Sequence, residues 1–322
     1  MKDRSSRKTG LVCFGITALT MLFCKGVQAQ VKLEYKFPEE KKLVYKTTSK
    51  LHQSLTFMGM EVERSEDRFV IESFTTGKRR GDSTLPIAKK VESLRVEMAL
   101  PDGKLVYDTA DPKATVDTPG HAFLRDMFKL AGDVAYTIVL DEHKKVKAVE
   151  GTEIFKEKIE KLDPTTRESV RDVYAAEAFK RGFEEQLQIL PDVLARPGEP
   201  WERTQVIETG DGQTLSFRKK YEYAGMEKRA DKTLDKLSCK VLEVKNNTNP
   251  NTNLPLKPTK SDLKVESSDG KILFDREQGH VVSASERIRI KGNITYSAGG
   301  MEVQTAVDLS IETNVELQPI SK

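Results

Sequence analysis

Met301 to Leu317 is the segment that most limits how this chain can fold. Every odd position is apolar or threonine: Met301, Val303, Thr305, Val307, Leu309, Ile311, Thr313, Val315 and Leu317. The even positions are Glu302, Gln304, Ala306, Asp308, Ser310, Glu312, Asn314 and Glu316. A period of two sustained this long predicts a β-strand with one buried and one wet face. At about 3.3 Å per residue such a strand reaches roughly 50 Å, so it has to curve, twist or bulge. Val281 to Tyr296 lies just before it, across Ala298-Gly299-Gly300, and the two read as a long hairpin.

The other end repeats the design. Leu43, Tyr45, Leu51, Leu55 and Phe57 alternate with polar residues, Met58-Gly59-Met60 turns, and Val62 to Phe74 returns. A change of face near Arg68-Phe69-Val70-Ile71 predicts a bulge there. Further alternating runs are Leu94 to Leu100, Val134 to Leu140 and Leu215 to Tyr223. Single apolar faces argue for an antiparallel sheet with one wet side, not a doubly wound parallel one. Asp102-Gly103-Lys104-Leu105-Val106-Tyr107-Asp108 matches Asp269-Gly270-Lys271-Ile272-Leu273-Phe274-Asp275. Two hairpins sharing an Asp-Gly turn are the plain reading, and an internal duplication is the alternative.

Between the strand-rich ends lies a helical centre, Glu153 to Leu190. Asp163-Pro164 is a cap acceptor followed by proline at a first helical position. Val170, Tyr174, Phe179, Phe183, Leu187 and Leu190 then mark one face of a long helix over 165–190. A shorter helix from His121 to Leu130 carries Leu124, Met127 and Phe128 on one side. Pro197-Gly198-Glu199-Pro200-Trp201 breaks the chain before the strands resume, and Asn246 to Pro258 reads as a loop. The expected fold is β-rich α+β, with long curved antiparallel strands, meander or half-barrel in style, and helices against the sheet. Its parts are a signal peptide (1–29), an N-terminal β-meander half (30–151), a helical segment (152–190) and a C-terminal β-meander half (191–322), all in one composite domain.

The amino-terminal segment has its own logic. Lys2, Arg4, Arg7 and Lys8 precede an uncharged, mostly apolar run from Leu11 to Cys24, and Val27-Gln28-Ala29 follows. That is the three-part pattern of a secretory signal peptide, with cleavage expected after Ala29 and an uncleaved anchor as the competing reading. The run is short for a membrane-spanning helix, so no span is expected after cleavage. Phe23 before Cys24 argues against lipidation. Residues 1–29 hold five basic side chains and one acidic one, so their loss takes the formal net charge from +3 to −1. A nucleic-acid partner is therefore not expected. Cys239 is the one cysteine left, so an internal disulfide is excluded for the mature chain.

Motifs of catalysis are missing. His52, His121, His143 and His280 are isolated, with no pair at metal-ligand spacing, and no metal or cofactor is expected. His143 and His280 fall in turns, where a solvated imidazole is the default. There is no G-x-S-x-G elbow, phosphate-binding loop or dinucleotide fingerprint. Ser216-Phe217-Arg218-Lys219 spells S-x-x-K inside an alternating strand, the wrong context for a nucleophile. Cys239 reads as a buried, inert thiol. Lys78-Arg79-Arg80 reads as a solvated basic loop. No catalytic residue is assigned, and the chain is not expected to be an enzyme.

Leu33-Glu34-Tyr35, Lys42-Leu43-Val44-Tyr45-Lys46, Met58-Gly59-Met60, Ala148-Val149-Glu150-Gly151, Leu190-Pro191 and Pro197-Gly198-Glu199-Pro200-Trp201 form a layout of strand and turn landmarks. This layout resembles a family of bacterial secreted proteins catalogued as domain of unknown function 6263. The family's usual Gly-Asp before the tryptophan is Gly-Glu-Pro here. The resemblance implies a secreted or periplasmic location and supplies no activity or site. The architecture is also similar, more distantly, to the half-barrel lipoprotein carriers of the periplasm.

A curved sheet roofed by helices leaves an apolar cleft. The expectation is thus a non-catalytic module of the cell envelope that binds a lipid or another hydrophobic ligand. The candidate lining is Leu124, Met127, Phe128, Phe179 and Phe183. Trp201, first a packing anchor and second a ligand platform, completes the set. The alternative is an envelope structural protein, or one that meets an envelope protein partner and holds no small ligand.

Overall fold

The computed structural model describes residues 30–114, 121–210, 213–248, 257–298 and 301–319. The expected signal peptide and most of the Asn- and Pro-rich loop lie outside the described residues. In chain order the strands are β1 (Lys42–Phe57), β2 (Met60–Thr76), β3 (Leu85–Leu100), β4 (Gly103–Asp108), β5 (Ala135–Leu140) and β6 (Val146–Glu150). Helix α1 (Ala122–Gly132) separates β4 from β5. Helices α2 (Glu153–Ile159), α3 (Pro164–Arg171) and α4 (Ala176–Leu187) follow β6. The chain ends in β7 (Trp201–Gly210), β8 (Gln213–Arg229), β9 (Lys232–Thr248), β10 (Lys257–Asp275), β11 (His280–Ala298) and β12 (Met301–Gln318).

All twelve strands join one open antiparallel sheet, in the order β6-β5-β3-β2-β1-β12-β11-β10-β9-β8-β7, with β4 hydrogen-bonded to β3. The fold is the β-rich α+β class that the alternation predicts. β1 pairs with β12 from Val44↔Gln318 to Phe57↔Thr305, so first and last strands meet in mid-sheet. The β1–β2 turn shows how local sequence sets register. Met58 and Gly59 both have positive φ, 51° and 79°, the two-residue geometry whose twist suits a hairpin.

Three local expectations are corrected. The bulge lies in β3, not in β2 at Arg68–Ile71. Ile71 faces Ser93 and Glu72 faces Val91, so Glu92 is the extra residue, and the β1–β2 register runs unbroken. Second, Pro101-Asp102 forms the β3–β4 turn, with Gly103 opening β4 opposite Leu100, but Asp269-Gly270 lies inside β10, opposite Arg287 and Glu286. A Cβ at Gly270 would sit 3.1 Å from both the Cβ and the carbonyl oxygen of Cys239, so this glycine serves a close approach of strands. Third, the helix expected over 165–190 is two helices. Asp163 caps α3, its Oδ1 accepting from the Thr166 N–H at 3.1 Å. The chain then leaves the helix before Ala175, whose φ and ψ of −71° and 148° are extended. The break lets Tyr174 pack on Phe155, with ring centroids 5.6 Å apart.

Helix α4 closes what the strands leave open. It contacts both β6 and β7, the two edges of the sheet, and so bridges the gap in the half-barrel. The two residues that follow it are pinned from β7: Arg203 Nε donates to the Gln188 carbonyl at 2.8 Å and Trp201 Nε1 to the Ile189 carbonyl at 3.0 Å. Residues 31–37 form a strap between the halves. Val31 exchanges backbone hydrogen bonds with Ala195, and the Lys36 N–H donates to the Gly279 carbonyl at 2.9 Å. Lys144 ties the strap to the β5–β6 turn through an ion pair with Glu34 and a 3.0 Å hydrogen bond to the Tyr35 carbonyl.

Candidate functional site

Between α4, the strap and the concave face of the sheet lies a cleft of about 410 Å³. Its walls come from both halves of the chain: Tyr45 and Thr47 of β1, Glu72 and Phe74 of β2, Lys89 of β3, Lys219 and Tyr221 of β8, Ala284 and Glu286 of β11, and Val315 of β12. Gln186, Gln188 and Ile189 close it from the helix side, with Tyr35 from the strap. A groove of about 290 Å³ continues it along the strands, sharing Lys219, Tyr221, Ala284, Glu286 and Val315 and adding Ile207, Phe217, Ile288 and Ile311. A smaller hollow of about 50 Å³ shares Tyr35, Tyr45 and Phe74 and adds Phe37, Ile87, Phe183 and His280.

Two ion pairs face this space. Lys219 Nζ lies 2.8 and 2.7 Å from the two carboxylate oxygens of Glu286. Lys89 Nζ lies 3.0 Å from Glu72 and 5.3 Å from the centre of the Phe74 ring. Burial pulls the Lys89 ammonium down, but Glu72 and Tyr136 together outweigh it, so the group is held above its ordinary value and charged. The other charged wall residues are engaged as well. Arg203 bonds the end of α4, and Glu185 Oε1 accepts from the Val206 N–H at 3.0 Å.

The remaining polar wall is neutral. Burial raises the Tyr35, Tyr45 and Tyr221 hydroxyls well above the usual range, so they stay protonated. Tyr45 donates to the Val281 carbonyl at 3.0 Å and Tyr35 to the Gln186 carbonyl at 3.1 Å. Cys239, free and buried at the edge of the groove, is pushed up to about 12 by burial and by the neighbouring Glu286. It is no nucleophile in this state. Among the described residues no group of three His, Cys, Asp or Glu side chains is placed to hold a metal ion. The arrangement can hold, orient and desolvate a ligand.

The candidate residues read from the sequence are dispersed. Leu124 and Phe128 of α1 pack with Val96, Met98 and Leu105 on the N-terminal half of the sheet. Met127 and Phe179 pack against Leu130, Phe155 and Val170 between the helices. Phe179 also stacks on Tyr136, ring centroids 4.3 Å apart. Phe183 alone of the six lines one of the hollows described here, the smallest. Trp201 is the cross-strand neighbour of Tyr221 and stacks on it, ring centroids 6.0 Å apart at 16°, without lining any of these hollows. His280 is a correction: it is buried against its turn, and burial lowers its pKa.

The residues that do line the cleft left a signal in the sequence. Lys219 sits between Phe217 and Tyr221, Lys89 between Ile87 and Val91, and Glu286 between Ala284 and Ile288, each at an inward position of its alternation. A charge on the apolar register of a strand has to be paired, so it marks a polar place on an otherwise apolar face.

Among curated proteins none matches the chain. A solved structure of lipovitellin, described by its lipid–protein interactions, is similar at a TM-score of 0.43 and 11% identity, covering 89% of this chain and 26% of that one. This chain thus spans about a quarter of the length of that relative. DynF of the dynemicin pathway of Micromonospora chersina gives a TM-score of 0.22 at 8% identity, over 98% of this chain and 94% of that one. A BenF-like porin from Pseudomonas fluorescens gives 0.23 at 7%, over 88% and 100%. No helix of the described residues is long and apolar enough to cross a membrane. The model of the family of unknown function DUF6263 matches residues 82–281, well over half of the sequence, and the chain belongs to that family.

Proposed function

We propose that this protein is an exported, non-catalytic binding module that holds a lipid or another hydrophobic ligand in the cell envelope. The observation that carries the reading is the cleft of about 410 Å³ between α4 and the curved sheet, continued by an apolar groove. Its volume lies in the range of small-ligand sites, and a tightly filled core leaves few voids larger than a water molecule. The export half of the proposal rests on the basic, apolar and small-residue pattern of residues 1–29. Native mass spectrometry of protein purified without detergent tests the binding half. A bound small molecule released by organic extraction is expected; bare protein from native and recombinant sources alike would refute it.

A second reading, an envelope protein that meets a protein partner, has one observation in its favour. Met58, Met60 and Met301 are 73%, 63% and 70% exposed on the neighbouring tips of the β1–β2 and β11–β12 hairpins. Replacing all three by serine and comparing crosslinked partners in intact cells tests it. Loss of a specific crosslink would favour this reading.

A further inference from the structure

The distribution of charge in the cleft narrows the class of ligand. We propose that it takes a single-chain amphiphile whose head group carries no net charge, seated head-first beside Lys219 and Glu286 with its chain along Ile207, Phe217, Ile288 and Ile311. The inference rests on the reading of the cleft as a ligand site.

Three observations converge on it. The first is a gradient of polarity along the strands. The wider cleft presents Tyr45, Thr47 and both ion pairs, while the groove shares Gln205 and the Lys219–Glu286 pair and otherwise adds mainly apolar side chains, Ile207, Phe217, Ile288 and Ile311. From Val315 to Ile311 on β12 this gradient runs over about 13 Å, which suits a medium-length alkyl chain lying along the strand.

The second is balance. The cleft wall holds three acidic residues, Glu72, Glu185 and Glu286, and three basic ones, Lys89, Arg203 and Lys219. A ligand with net charge would enter a poorly hydrated space that offers no surplus counter-charge. It would gain one only by opening a pair and leaving the displaced partner buried and uncompensated.

The third is commitment. Lys219 is bonded to both oxygens of Glu286, Lys89 to Glu72, Arg203 to the end of α4 and Glu185 to the Val206 N–H. The tyrosine hydroxyls are kept neutral by burial. A neutral or zwitterionic head finds hydrogen-bonding partners here without breaking any of these.

Trp201 is the one tryptophan of the chain and stacks on the cleft residue Tyr221, so its fluorescence reports on occupancy. The test titrates the delipidated protein with dodecyl maltoside, dodecylphosphocholine, laurate and dodecyltrimethylammonium, each below its micellar concentration. The first two are expected to bind at least about tenfold more tightly than the last two. Lys219→Met leaves Glu286 without its cation and is expected to shift preference about tenfold toward the trimethylammonium head. Glu286→Gln is expected to shift it toward laurate, and serves if the first variant does not fold. Tighter binding of laurate or the ammonium by the unaltered protein would overturn the inference while leaving the ligand site standing, as would an unchanged ranking in both variants. Failure of every probe to bind would remove both.

Discussion

Lys219 and Glu286 bond across two intervening strands. Lys219 belongs to β8 and Glu286 to β11, with β9 and β10 between them in the sheet. In a flat sheet three strand spacings of about 4.8 Å would hold their backbones roughly 14 Å apart. The pair closes because the sheet curves and because the residues beneath it are small. Tyr221 is opposite Cys239, Cys239 opposite Gly270, and Gly270 opposite Glu286. Cys239 and the side-chain-free Gly270 leave a furrow over which lysine and glutamate meet. The Cys239 thiol adds a 3.7 Å contact to the same carboxylate.

This pair sets the first prediction. The Lys219 and Glu286 side chains are 8% and 26% exposed, so removing one partner strands the other in a poorly hydrated site. Lys219→Met is expected to cost about 3 kcal/mol in urea denaturation, and the double variant with Glu286→Leu to recover much of that. Equal loss in the double and single variants would contradict the account.

The second concerns the thiol. With Cys239 raised to about 12, the thiolate is a minute fraction at pH 8. A disulfide reagent is expected to leave the folded protein unlabelled for hours and to label it within minutes in denaturant. Rapid labelling of the folded chain would contradict the burial.

Acid stability is the third. Glu34 is held down to about 2 by Lys144 and then Lys32, and Glu92 down to about 2 by Lys90 and then Ser73. Both lie below the ordinary 4.5, so their stabilisation is complete above pH 4.5 and is lost as pH falls toward 2. His280 is lowered from 6.5 by burial and by Lys41, so its contribution is present above pH 6.5 and declines below it. Thermal midpoints are expected to fall gently below pH 6.5 and more steeply between pH 4.5 and 2. His280→Gln should remove the upper phase and Glu92→Gln reduce the lower one. A midpoint that rises on acidification would contradict this.

The fourth is a backbone matter. Gly292 has φ 150°, and a Cβ there would lie 1.9 Å from the Asp262 carbonyl oxygen. Gly292→Ala must therefore push β10 and β11 apart. A loss of about 2 kcal/mol or more is expected by calorimetry. A neutral substitution would show that the two strands are less closely apposed than described.

These residues also show where the sequence was legible. The alternation of Met301–Leu317 specifies β12, because period two admits few other structures. The helical centre is shorter in its parts than its stripe implies, because the stripe through Tyr174 fits one helix as well as two. Only the packing of Tyr174 on Phe155 shows the break. Asp269-Gly270 misled for a similar reason: a pair that favours turns was selected for the absence of a side chain. The site was half visible. Lys89, Lys219 and Glu286 interrupt apolar registers, a sign readable in each strand. That they share one cleft depends on strand order, which no single strand encodes. The aromatic stripes of the helices announce burial, a signal that filled cores and cleft walls share.

The central claim is that the space between α4 and the sheet is a ligand site. Its most direct measurement is native mass spectrometry of Ala284→Trp, which fills the junction of cleft and groove, beside Ala88→Trp, which adds the same bulk at an exposed position of β3. The account predicts that Ala284→Trp loses the bound amphiphile while keeping its fold by circular dichroism, and that Ala88→Trp retains it. Equal retention by both variants would contradict it.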